Sequence, residues 1–258
     1  MSSVLFHIEN NIAFITLNRP DKLNSFNREM AMLLQNYLDE AATLKEIRCV
    51  YLTGTGKGFS SGQDLSEVID PNGPGMDKIL SEHFNPIIKK IRNIPKPVIA
   101  AVNGVAAGAG VNIALACDIV LANSDASFIQ AFSKIGLIPD SGGTYTLPRL
   151  IGNQRASALM MLGEKISAHE AFQMGMIYKV FDNENFVGES TSIANTLANM
   201  PTKALAYIKH ALNQSYLNSM EEQLELEDNY QQKAAATNDF KEGVQAFLEK
   251  RMPRFKGE

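Results

Sequence analysis

The stretch from Val102 to Ala122 sets the first constraint on the fold. It has a membrane-like length, yet Asn103, Asn112 and Asp118 interrupt it and glycine and alanine make up much of the rest. Polar groups are costly in lipid, whereas small residues let backbones pack closely in a protein interior. The tract therefore predicts the centre of a soluble core, with no membrane as partner. Pro97 to Val102 reads as a strand, Gly108 to Ala116 as a helix and Asp118 to Leu121 as a strand, an alternation that argues for an α/β fold.

The alternation begins earlier. Val4 to Glu9 and Ile12 to Leu17 flank Asn10-Asn11 as a β-hairpin would. Asn27 to Leu44 carries Met30, Leu33, Leu34, Tyr37, Leu38 and Ala41 at helical spacing behind Asn27 as a cap, and Cys49 to Leu52 reads as a buried strand. Asp70 to Gly75 is a flexible loop, and Met76 to Asn93 a helical pattern disturbed at Pro86, together a lid. From about Leu150 helical patterns dominate, apart from Ile177 to Phe181. The expected division is an α/β core at residues 1–195 and a helical region at 196–258. Helices with one apolar face that follow a complete core usually pack on something, and a sister subunit is the natural candidate.

Composition removes several classes of function. With 258 residues, 45% of them hydrophobic, the chain can bury a sizeable core. A net charge of -4 without any long basic run offers no footprint for nucleic acid. Cys49 and Cys117 lie in apolar stretches and read as free, buried thiols of a reducing cytoplasm, and no signal peptide is visible at the start. The four histidines show none of the local spacings of a metal site. Gly54-Thr55-Gly56-Lys57-Gly58 lacks the spacing of a nucleotide-binding loop.

What remains is a lone carboxylate. Asp140 stands in Ile135-Gly136-Leu137-Ile138-Pro139-Asp140-Ser141-Gly142-Gly143-Thr144, between an apolar segment and a glycine pair. It can be a turn residue or helix N-cap, or it can be a base whose pKa is lifted by Ile135, Leu137 and Ile138. Two further tracts would bring backbone N–H groups together: Phe59-Ser60-Ser61-Gly62-Gln63-Asp64 and Asn103-Gly104-Val105-Ala106-Ala107-Gly108-Ala109-Gly110.

In combination these three stretches resemble the motifs of the enoyl-CoA hydratase/isomerase (crotonase) superfamily. Asn18-Arg19-Pro20-Asp21-Lys22-Leu23-Asn24 and Phe247-Leu248-Glu249-Lys250-Arg251 are similar to its outer motifs, so the likeness spans nearly the whole chain. The resemblance implies a spiral of β-β-α turns with a C-terminal helical trimerisation region, assembled as a homotrimer or homohexamer. It implies an acyl-CoA substrate and no separate cofactor, coenzyme A being part of the substrate. It assigns the thioester oxygen to the N–H groups of Ser61 and Ala109, an oxyanion hole that lowers the barrier to an enolate. Lys22, Ser60, Gln63, Asp64, Leu65 and Lys250 fall on positions expected to contact coenzyme A, the last from a neighbouring subunit.

The acids then separate the reactions. Hydratases of the superfamily use two glutamates, and the matching positions hold Asn112 and Phe132. Asp140 matches the aspartate of several isomerases, with the nearest likeness to the ring-epoxide isomerases. The expected activity is a one-base isomerase that turns a ring epoxide of an arylacetyl-CoA into an oxepin and shifts 3-enoyl to 2-enoyl double bonds. Phe132, Phe128 and Phe84 are expected to favour a flat ring in the pocket. The alternatives are a general enoyl-CoA isomerase or hydratase of fatty-acid oxidation, and a non-catalytic acyl-CoA-binding subunit.

Overall fold

Asn10 and Asn11 both adopt positive φ, 50° and 63°. That backbone suits a two-residue hairpin turn, and asparagine tolerates it well. Strands β1 (Val4–Glu9) and β2 (Ile12–Leu17) accordingly pair antiparallel, with Val4 opposite Leu17. The computed structural model describes residues 2–258. Helix α1 (Arg28–Thr43) follows, and the Asn27 side chain accepts the Met30 N–H at 3.0 Å as its cap. Met30, Ala31, Leu34, Leu38 and Ala41 turn one face of α1 into the core.

From here the chain climbs as a spiral in which successive turns give a strand to each of two sheets. β3 (Cys49–Gly54) joins the first sheet and β4 (Gly58–Ser60) the second. The chain then runs through α2 (Leu65–Val68), α3 (Gly75–Lys78), a π-helical turn at Ile79–Phe84 and α4 (Asn85–Asn93). Pro86 follows directly on that turn within a continuous helical run, and its missing N–H removes one bond to the turn before it. The irregularity expected at Pro86 therefore lies just before it, in the wider turn.

The next coil is β5 (Val98–Val102), β6 (Val105–Ala107) and α5 (Ala109–Ala116). The third is β7 (Ile119–Asn123) and β8 (Ser127–Ile129), followed by a short 3-10 turn at Ala131–Ile135, α6 (Gly143–Ile151) and α7 (Asn153–Leu162). β9 (Lys165–Ser167), α8 (Ala168–Gln173) and β10 (Lys179–Phe181) complete the coils. The first sheet has the order β1-β2-β3-β5-β7-β10 and the second β4-β6-β8-β9. All pairings are parallel except β1 with β2 and β8 with β9. The α5 tract, Ala109 to Ala116, is buried along its whole length, which small side chains permit between two sheets.

Four helices close the chain: α9 (Phe186–Asn199), α10 (Thr202–Gln214), α11 (Met220–Ala235) and α12 (Asn238–Glu249). Polar bonds hold them to the spiral. The Tyr51 and Ser190 hydroxyls meet at 2.7 Å, and Arg48 donates to Thr202 Oγ1 and to the carbonyls of Met200 and Phe255. Asp239 accepts the N–H groups of Lys256 and Gly257, which folds the tail back onto the start of α12. No helix among the described residues is long and apolar enough to cross a membrane.

Candidate active site

The segment Asn18 to Asn24 acts as a bracket for the loop after β4. The Asn24 amide, fully buried, donates to the carbonyls of Thr55 and Gly58. Ser60 Oγ donates to the Asn24 carbonyl, and the Arg19 guanidinium pairs with Asp64 at 2.9 Å. Asp64 also caps α2 by accepting the Ser66 N–H. Burial pushes the Asp64 carboxyl up, but hydrogen bonds from Ser66 and Arg19 outweigh it and hold it below its ordinary value. Ser60 has no exposed surface, and both its hydroxyl and the Asp64 carboxylate are engaged inside the protein. The expected coenzyme A contacts through these two side chains are therefore corrected: they build the loop.

The bracket also decides which N–H groups are free. Ser61 N–H donates to the Leu23 carbonyl at 2.9 Å, so the expected oxyanion donor is already engaged. Its neighbour is different. Phe26 forms a parallel bridge with Gln63 by donating to the Gly62 carbonyl and accepting from Asp64 N–H. In such a bridge the N–H of the middle residue points to the opposite side. Among the described residues the Gln63 N–H meets no acceptor.

Across from it, Ala109 is the first residue of α5, and its N–H is one of the donors that a helix start leaves unpaired. The two segments meet at Gly62, whose φ is 87°. A Cβ there would stand 3.0 Å from the Ala107 carbonyl oxygen and 3.1 Å from the Ala109 nitrogen, so only glycine fits. The free pair is thus Gln63 and Ala109, not Ser61 and Ala109. Sequence reading missed Gln63 as a donor because the Leu23 and Phe26 contacts that settle the matter come from a remote segment.

The carboxylate arrives from the third coil. Asn112, one helical turn past Ala109 on α5, donates its Nδ2 to the Asp140 carbonyl at 2.8 Å, and its Oδ1 accepts from Gln130 at 2.8 Å. Gly143 N–H donates to the same Asp140 carbonyl at 2.9 Å. A Cβ on Gly143 would come within 2.4 Å of Asn112 Nδ2, so glycine is what lets Asn112 reach across. Asp140 is half-buried, and this desolvation raises its pKa above the ordinary carboxylate value, partly countered by a hydrogen bond from Ser141 at 2.8 Å.

Two sequence expectations about Asp140 are revised. It does not cap α6 with its side chain, since Gly142 occupies the N-cap with φ 73°. Nor do Ile135, Leu137 and Ile138 enclose it, because all three are exposed, Ile138 at 81%. Phe84 and Phe128 lie fully inside the core, Phe84 edge-on to Phe26 at 5.7 Å, and so do not line an open pocket. Phe132 is the aromatic near the donors: its ring would lie 3.7 Å from a Cβ on Gly108, beside Ala109.

Lys22 is exposed, and its carbonyl accepts the Ser61 hydroxyl, which places it at the rim of the loop. Leu65 is exposed at the start of α2. Gln63 Nε2 donates to Glu67 of α2 at 2.9 Å, and Glu67 accepts the N–H of Arg28 at the start of α1. Lys250 is exposed at the end of α12, and Arg251 beside it is paired with Glu242 and Glu249. His83 is buried beneath α1 with Nε2 3.2 Å from Arg28, and burial lowers its pKa.

The chain as a whole is similar to known proteins of one family. The model described as "Enoyl-CoA hydratase/isomerase" covers residues 7–258. The 1,2-epoxyphenylacetyl-CoA isomerase of Escherichia coli is 47% identical, over 100% of this chain and 99% of that protein. The trans-2-decenoyl-[acyl-carrier-protein] isomerase of Streptococcus mutans is 36% identical over 98% of both chains. The crystal structure of an enoyl-CoA hydratase from Bacillus anthracis superposes with a TM-score of 0.93 at 33% identity, covering 99% of this chain and 100% of that one.

Proposed function

Given that this chain belongs to the enoyl-CoA hydratase/isomerase family and is an acyl-CoA isomerase with the crotonase fold, we propose that it converts 1,2-epoxyphenylacetyl-CoA to the oxepin-CoA and shifts 3-enoyl to 2-enoyl double bonds. The observation that carries this reading is the position of Asp140. Its main-chain carbonyl accepts from Asn112, one turn from the Ala109 donor, and its carboxyl is partly desolvated.

The chemistry follows from that placement. The thioester oxygen lies on the N–H groups of Gln63 and Ala109, where negative charge on an enolate is stabilised, with the α5 helix start adding its positive end. With the carbonyl so polarised, the neighbouring carbon loses a proton to Asp140, and the electron pair moves onto the thioester oxygen. For a 3-enoyl thioester, Asp140 returns the proton at the far end of the dienolate and the double bond ends in conjugation. A raised carboxyl pKa favours this exchange, since it brings the acid nearer the working pH. Asn112 and Phe132, at the positions of the hydratase glutamates, hold and release no such proton, which supports isomerisation over water addition. Coenzyme A belongs to the substrate, and no further cofactor enters these steps.

We assign the rim of the site, Lys22, Leu65 and the Gln63 side chain, to the coenzyme A portion, with Lys250 acting from a neighbouring subunit. A homotrimer or a pair of trimers is supported by the exposed apolar side chains of the C-terminal helices, among them Leu212, Leu224, Phe247 and Leu248. The two free, buried cysteines support a cytoplasmic setting. Of the expected division at 195, we keep a spiral core and a helical trimerisation region but place the boundary after α9, which runs unbroken from Phe186 to Asn199 and packs on the first sheet.

The test is direct. Purified Asp140→Asn is expected to bind acyl-CoA normally while the rise in conjugated enoyl-thioester absorbance on a 3-enoyl-CoA disappears. Full activity in that variant removes Asp140 from the reaction. Silence of the unmodified protein toward 3-enoyl-CoAs and the ring-epoxide thioester, with binding retained, would favour a non-catalytic subunit. Comparing kcat/KM for the ring epoxide and aliphatic enoyl-CoAs ranks the substrates.

A further inference from the structure

We propose that Ser141 is a positioning residue for Asp140: its hydroxyl holds Oδ1 and leaves Oδ2 as the oxygen that carries the proton. This rests on the assignment of Asp140 as the base. Ser141 is buried, and its φ of 52° places it in the left-handed region, which a non-glycine side chain enters at a cost. Glycine would adopt that backbone freely, but it would bring no hydroxyl. From this conformation Ser141 Oγ donates to Asp140 Oδ1 at 2.8 Å.

The rest of the residue is held as firmly. The Asp140 carbonyl accepts from Asn112 Nδ2 at 2.8 Å and from Gly143 N–H at 2.9 Å. Because Asn112 must donate to that carbonyl, its Oδ1 faces Gln130, which donates at 2.8 Å and fixes the amide orientation. Gln130 and Asn112 are both almost fully buried. Main chain and one carboxylate oxygen are therefore each tied down from different elements, α5 and the turn into α6. A free carboxylate rotates between two equivalent states; one bonded on a single oxygen does not present its oxygens equally. For a base that takes a proton from one carbon and returns it to another, a fixed oxygen keeps both positions within reach.

The experiment compares pH profiles of kcat/KM for 3-enoyl-CoA isomerisation in the unmodified enzyme, Ser141→Ala, Ser141→Gly and Asp140→Asn. Loss of the hydroxyl removes a donor to the ionised carboxylate, so both Ser141 variants should lose about tenfold in kcat with KM unchanged. Their acid limb should move to higher pH, because the protonated carboxyl becomes relatively favoured. Ser141→Gly should melt no lower than the unmodified enzyme, since the backbone strain is relieved, and so separates positioning from folding. An unchanged acid limb and kcat in both variants would overturn the role of Ser141 while Asp140→Asn remained inactive. Retained activity in Asp140→Asn would overturn the base assignment itself, and is read independently of the serine.

Discussion

Lys209 Nζ lies 2.8 Å from Asp118 Oδ2 and donates to the carbonyls of Ile91 and Lys96, so an almost fully buried ammonium ties α10 to α4 and the first sheet. Burial lowers its pKa and Asp118 pulls it back up. Removing Lys209 leaves Asp118 with Arg92 at 3.7 Å and the Val98 N–H, so the loss falls short of the about 3–5 kcal/mol typical of a fully unpaired buried charge. Lys209→Met should therefore lower the urea midpoint, and less than Asp118→Asn does, because that variant leaves the almost fully buried ammonium without its carboxylate. Adding Asp118→Asn should recover part of the loss, a non-additivity that an independent pair of sites would not show.

Asp140 predicts a trade of stability for chemistry. Its folded pKa lies above the unfolded value of about 3.9. As pH rises past that value the unfolded chain gives up its proton before the folded one, so folding is progressively disfavoured until pH passes the folded pKa. Asp140→Asn removes that cost and should raise Tm at neutral pH, with the gain vanishing near pH 3, where both forms are uncharged. Thermal melts at the two pH values check the sign.

Gly62→Ala probes the meeting of the two donors. The added Cβ would press on the Ala107 oxygen and the Ala109 nitrogen from a backbone that disfavours any side chain. A lost oxyanion donor costs about 10²–10³-fold in kcat in comparable enzymes, and a loss of that size is expected here from a folded protein. Circular dichroism and kcat on the same preparation test it.

The two cysteines should be chemically silent in the folded state. Burial is the main force pushing both thiols up, Cys117 to about 12, so no thiolate forms at ordinary pH. An aromatic disulfide reagent at pH 8 should report no thiols in the native protein and two after unfolding in urea.

Strong local patterns made much of this legible in the sequence. The hairpin was visible because β1 and β2 each run six residues with partial alternation around Asn10-Asn11, and α1 because Asn27 caps a clear apolar stripe. β6, β8 and β9 escaped notice because three residues cannot display a period of two. The donor at Gln63 was hidden for another reason: which N–H is free depends on pairing with Leu23 and Phe26, far back in the chain. The surroundings of Asp140 were misjudged because Ile135, Leu137 and Ile138 are its neighbours along the chain, whereas its fixed polar partner Asn112 comes from another coil.

Each coil of the spiral has an inner edge and an outer one. The Gln63 loop, Ala109 and Asp140 come from consecutive coils, while the segment from Leu65 to Asn93 is the long outer excursion of the first. A residue gained or lost at Asp70 to Gly75 lengthens or shortens that excursion without altering the rise from one coil to the next. The scaffold can therefore absorb changes in a peripheral loop while its coils stay in place, much as a lock accepts new wards around an unchanged bolt.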